Sequence, residues 1–131
     1  MWVCLALTEA VKRWGRPLRV VTDRWREADV RQALSAIGMS ARHETRGMGY
    51  KDGSEDLRLF RRAVLEKRVK VAPNLVLREG LRASKTQSDP AGNVKIAKAT
   101  TGRDDAVVAS VLAVASAERT PVKKRSADAY R

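Results

Sequence analysis

A chain of 131 residues is long enough for one domain with a modest core and too short for two. Lys and Arg number 27 against 15 acidic residues, and this net charge of +12 favours a polyanionic partner, nucleic acid before membrane. No apolar run approaches the ~20 residues of a membrane span, the start of the chain lacks the basic n-region of a signal peptide, and the single Cys4 excludes an internal disulfide and suits a reducing cytoplasm.

Taken in order, Trp2, Leu5, Leu7, Val11 and Trp14 follow helical spacing, and Gly15 and Pro17 stop that helix. A domain that opens on a helix is unusual for an α/β fold, so the expectation is that the chain starts partway through a larger domain. Leu18, Val20 and Val21 then form a β-branched run that reads as a buried strand. Asp23 stands at its carboxyl end, where open α/β sheets place their ligands. Two readings of Asp23 stay open: a functional carboxylate, or a cap for the helical turn that begins at Arg24.

Residues 27–37 form a second helix, with Val30, Ala33, Leu34 and Ile37 on one face and Gly38 after its end. Residues 39–44 read as a short strand carrying His43, the lone histidine, which has no partners for a metal site and is read as structural or solvated. Residues 46–53, with Gly47, Gly49 and Gly53, read as a flexible surface loop. They lack the Gly-Lys-Ser/Thr ending of a phosphate-cradling loop. Ser54 caps a third helix over 55–67, with Leu57, Phe60, Val64 and optionally Leu65 inward. Arg58, Arg61 and Arg62 lie on its other face, which is either solvated or a contact for a DNA backbone.

Asn74 caps a short helix over 75–84 with Leu77 and Leu81 as apolar positions, and residues 88–93 are dense in turn formers. Residues 94–98 alternate like a strand. The last strong element covers 104–117, with Val107, Val108, Val111, Leu112 and Ala115 on one face. The folded part is thus expected over 1–118, and 119–131 reads as a basic, disordered tail.

Asp104 and Asp105 occupy the first turn of the last helix, a favourable place for negative charge in any protein. A basic α/β domain with one aspartate at a strand end and another opening a long helix also suits a second role. Mg²⁺ and Mn²⁺ prefer hard oxygen ligands, and paired ions about 3.5–4 Å apart clamp a phosphodiester for in-line attack by water.

Val21-Thr22-Asp23-Arg24-Trp25, then the run from Asp89-Pro90-Ala91-Gly92-Asn93 to Lys98, then Gly102-Arg103-Asp104-Asp105-Ala106-Val107-Val108-Ala109 resemble the nuclease domain of the large terminase subunit of tailed bacteriophages. The likeness runs in order from about residue 18 to 117. It implies an RNase H-like α/β fold, a central mixed sheet flanked by helices and lacking its first strands. It also implies Mg²⁺- or Mn²⁺-dependent endonucleolytic cleavage of double-stranded DNA during genome packaging, in the cytoplasm of a bacterial host. Asp23 and Asp105 match the family's metal-binding carboxylates, while Asp104 falls on a variable position. Lys98 matches a recurring lysine near the phosphate, Arg103 belongs to the pattern that carries Asp105, and Arg103, Arg58, Arg61 and Arg62 are the further candidates for DNA contact. The partners implied are double-stranded DNA, the terminase ATPase domain, the small terminase subunit and the portal, with no membrane.

The family's first metal-binding aspartate and its ATPase domain have no counterpart in this chain. A non-catalytic DNA-binding or packaging-accessory module, or a prophage remnant, is the competing expectation.

Overall fold

The computed structural model describes residues 2–15, 19–39, 42–47, 49–97 and 105–119, which fold as α/β. The chain divides into two compact units: Met1–Ser54 with Ser88–Lys95, and Glu55–Gln87 with Ile96–Arg131.

In the first unit, helix α1 (Trp2–Trp14) ends where Gly15 takes a φ of +84° and its N–H donates to the Val11 carbonyl, 2.8 Å. Glycine holds this left-handed position without the Cβ penalty. Strand β1 (Arg19–Asp23) leads through a turn of 3-10 helix (Arg24–Arg26) into α2 (Glu27–Ala36). Strand β2 (Arg42–Arg46) then pairs with β1 in parallel, Val20 opposite His43 and Asp23 opposite Arg46. A parallel pair needs a crossover, and α2 supplies it. The α2 face that the sequence marks as apolar is buried at Val30, Ala33 and Leu34. The helix closes in a Schellman motif at Gly38, with Met39 N–H on the Leu34 carbonyl at 2.9 Å and Gly38 N–H on Ser35 at 3.0 Å.

Two sequence expectations in this unit are corrected. Strand β2 lies at Arg42–Arg46, starting three residues and ending two residues later than the expected 39–44. Its sequence is polar, and polar pairs across the two strands hold it, Thr22 Oγ1 with His43 Nε2 at 2.8 Å and Arg19 with Glu44 at 3.9 Å. His43 is accordingly structural. The glycine-rich stretch after β2 is not a loop throughout, because α3 (Tyr50–Leu65) starts at Tyr50. Asp52 folds back from its first turn to accept the Gly47 N–H at 2.8 Å, which anchors the connection.

The turn after Ser88 is built by the residues the sequence singles out. Asn93 donates its backbone N–H to Asp89 Oδ1 (2.8 Å) and its side-chain amide to Oδ2 (3.0 Å), and Gly92 takes a φ of +84°. The Asn93 amide, first among the hydrogen bonds there, holds the Asp89 carboxyl below its ordinary range. This turn joins β3 (Thr86–Ser88) to β4 (Val94–Ile96), a second two-stranded sheet.

The second unit holds most of α3 with α4 (Leu75–Ala83) and α5 (Asp105–Arg119). Its core joins Leu77, Val107 and Val111, with Phe60, Ile96 and Ala106 packed against them. Asn74 caps α4 as its sequence suggests, accepting the Leu77 N–H at 3.0 Å. The inward face of α3 differs from the sequence reading. Asp56, Leu57, Leu59 and Ala63 are buried, while Val64 and Leu65 are 46% and 78% exposed. The buried face is turned toward Asp56, whose carboxylate, 2% exposed, is paired with the Arg119 guanidinium of α5. Leu81, expected inward, is also exposed.

Arg119 therefore ends α5 and joins the packed structure, although the sequence reading assigns it to the tail. Beside it, Glu118 pairs with Arg68 and lies 3.9 Å from Arg62. Residues 120–131 lie outside the described residues. Among the described residues, no helix is long and apolar enough to cross a membrane.

Candidate functional site

Asp23, Arg24, Arg46 and Asp52 lie at or next to the carboxyl ends of β1 and β2. Asp23 closes β1 in an extended conformation (φ −71°, ψ 171°), and its Oδ1 accepts the Trp25 N–H at 3.1 Å. The capping reading of Asp23 is thus realised, on a 3-10 turn. Only one carboxylate oxygen takes part in that cap.

Arg46 stands opposite Asp23 at the end of β2. Its side chain is 15% exposed and lies 4.0 Å from Asp52. The Arg24 guanidinium lies beside Gly47, so Asp52 faces Arg46 and Arg24 as well as its backbone donor. The Gly47 N–H, and after it these cations, hold the Asp52 carboxyl below its ordinary value despite the opposing effect of partial burial. A Cβ at Gly47 would come within 3.1 Å of Asp52 Oδ2, so the turn is close-fitted at that point.

Asp105 is the first residue of α5 and is exposed. It belongs to the second unit, and Asp23 to the first. Among the described residues, no group of three or more His, Cys, Asp or Glu side chains is arranged to hold a metal ion. The carboxylates at Asp23 and Asp105 are of the hard-oxygen type that Mg²⁺ and Mn²⁺ take, but the described residues alone do not complete a two-metal site.

Of the basic candidates, Arg58 and Arg61 are exposed on α3, and no acidic partner of either is found among the described residues. Arg62 is exposed too, with Glu118 within 3.9 Å. Lys98, Arg103 and Asp104 lie outside the described residues.

The sequence alone gives no role to Arg46, Asp52 or Trp25. Strand register alone places Arg46 next to Asp23, and no local pattern carries that. Asp52 has a visible signal, an acid five residues after a glycine that follows a strand. Trp25 sits between two arginines directly after the candidate carboxylate, and the structure leaves its indole in solvent.

No protein-family model matches this sequence, and no curated protein matches it. Among solved structures, the chain is similar to the one described as the crystal structure of the HK97 bacteriophage large terminase. The two share 28% identity at a TM-score of 0.75, over 88% of this chain and 24% of that one. This chain therefore corresponds to about a quarter of the length of that protein. Over nearly its whole length the chain is thus similar to a part of a bacteriophage large terminase, and its α/β structure is RNase H-like.

Proposed function

We propose that this chain forms part of a terminase nuclease: it binds double-stranded DNA and takes part in metal-dependent endonucleolytic cleavage during genome packaging. The observation that carries the reading is Asp23 at the carboxyl end of a parallel strand pair, in a chain similar to a bacteriophage large terminase. That strand end is where α/β sheets bind ligands. Asp23 and Asp105 are proposed as two carboxylates of a Mg²⁺ or Mn²⁺ centre, each assigned from its own motif. Further ligands come from outside the described residues. Bound there, the ions would activate water and neutralise charge on the cleaved phosphodiester.

The residues of the chain contribute binding and placement. The cap to Trp25 fixes Asp23 in one orientation, with one carboxylate oxygen outside that bond. Arg46 sets a positive charge at the same level of the sheet. Lys98 and Arg103 are proposed as phosphate contacts, and Arg58, Arg61 and Arg62 as contacts for the duplex backbone. By the same likeness, the ATPase domain, the small terminase subunit and the portal are the proposed protein partners, in the cytoplasm of the bacterial host.

Nicking or linearisation of supercoiled plasmid in Mn²⁺ tests the reading. With only two of the carboxylates in this chain, cutting is expected to be weak, and Asp23→Asn and Asp105→Asn to abolish it without loss of DNA binding. Equal cutting by wild type and both variants would refute the assignment. A second reading, a packaging accessory that binds DNA without hydrolysis, draws on the exposed Arg58 and Arg61. It predicts retained, salt-sensitive binding with no cleavage.

A further inference from the structure

The Trp25 side chain is 90% exposed, on the turn that Asp23 caps. A tryptophan left in water forgoes a large burial gain, so its placement calls for a reason. Two other rings of the first unit, Trp14 and Tyr50, have a cation over them. Arg13 lies over Trp14 with its guanidinium carbon 5.2 Å from the ring centre, and Lys95 covers Tyr50 at 4.6 Å. Among the described residues, no cation stands over Trp25, although Arg24 and Arg26 flank it in sequence. Arg24 is turned toward Gly47, and Arg26 pairs with Asp29 at 3.0 Å while remaining exposed.

An open indole whose neighbours in the chain are two exposed arginines matches one ligand chemistry. A nucleobase stacks on the indole face and the neighbouring phosphates meet the cations. Paired bases in a continuous duplex have their faces covered by their neighbours. An unpaired base at an end, overhang or bulge offers a free face. One indole is too little for a track of stacked bases and sufficient for one.

We propose that Trp25 is a base-stacking residue that holds a single unpaired base of DNA beside Asp23, with Arg24 and Arg26 serving the adjacent phosphates. The two residues are consecutive but one in the chain, so their Cα atoms are within about 7 Å of each other. A base held on the indole therefore keeps its own backbone close to the carboxylate. The inference rests on the DNA-binding reading above and adds to it a preference for frayed or single-stranded positions.

The test compares the full chain with Trp25→Ala and Trp25→Phe by fluorescence anisotropy, on labelled blunt duplex and on the same duplex with a short single-stranded overhang. Wild type should prefer the overhang. Trp25→Ala should weaken overhang binding roughly fivefold to hundredfold, the range for loss of one stacked base, and leave blunt-duplex binding within about twofold. Trp25→Phe should keep most of the preference. Equal losses on both DNAs, or none on either, would overturn the stacking role. Wild-type protein that binds neither DNA would overturn the DNA-binding reading itself, and this inference with it.

Discussion

Asp56, buried within α3, is held by Arg119 at the last position of α5, 63 residues further along the chain. A buried carboxylate is stable only while paired, and removing one partner of such a bond costs about 3–5 kcal/mol. Arg119→Met should therefore lower unfolding free energy by about 3 kcal/mol in urea titrations. Lys12→Ala removes the exposed pair with Glu9 and should change it by less than about 0.5 kcal/mol. Similar effects from both variants would contradict the buried-pair account.

Asp52 gives the protein a specific acid sensitivity. Its folded carboxyl titrates below the ordinary value of 3.8, first through the Gly47 N–H and then through Arg46 and Arg24. As pH falls through the ordinary value, the unfolded chain takes up a proton that the folded chain refuses, so stability drops. The contribution is complete above about pH 4 and lost once pH passes below the depressed folded value. Thermal unfolding from pH 6 to pH 2 should show a smaller acid-dependent fall for Asp52→Asn than for wild type. Parallel curves would mean that Asp52 makes no linked contribution.

Lys67 ends α3 with a φ of 55°, a left-handed conformation that costs a residue with a Cβ. The Schellman bonds around it, Arg68 N–H to the Ala63 carbonyl at 2.9 Å and Lys67 N–H to Val64 at 3.0 Å, need that geometry. Lys67→Gly relieves the Cβ clash and loses some unfolded-state advantage, for a net gain of roughly 0.5–1 kcal/mol. Differential scanning calorimetry should record a rise of a few degrees.

Double-stranded DNA binding by a chain of net charge +12 should be governed by counterion release. Affinity is expected to fall steeply, by well over tenfold between 50 and 200 mM salt for several phosphate contacts. The double variant Arg58→Ala/Arg61→Ala should flatten that slope by about two contacts. An affinity indifferent to salt would contradict a backbone-reading surface.

The elements that local chemistry specifies are the ones legible in the sequence. The apolar stripe of α5, the Asn74 cap and the glycine stops after α1 and α2 all appear where their residues place them. Tertiary bonds decide the rest. Tyr50–Gly53 is helical despite Gly53 because Asp52 ties the first turn back to Gly47. Val64 is exposed because the buried face of α3 is turned toward the Asp56–Arg119 pair. Strand β3 is short, polar and exposed, and only its partner β4 defines it. At the candidate site, the cap on Asp23 follows from a strand-to-helix junction, whereas the strand register that sets Arg46 beside it has no local signature.

The central claim, that Asp23 and Asp105 are metal-binding carboxylates, is tested most directly by the Mn²⁺ dependence of the melting temperature. An ion that binds only the folded state at ten times its dissociation constant adds about 1.4 kcal/mol of stability. For a chain of this size that is a rise of roughly 3–6 °C. Asp23→Asn keeps the cap, since Asn caps nearly as well as Asp, and should lose the rise, as should Asp105→Asn. Asp104→Asn should keep it. Identical melting curves for the wild type with and without Mn²⁺, or a rise that survives in both Asp23→Asn and Asp105→Asn, would contradict the assignment.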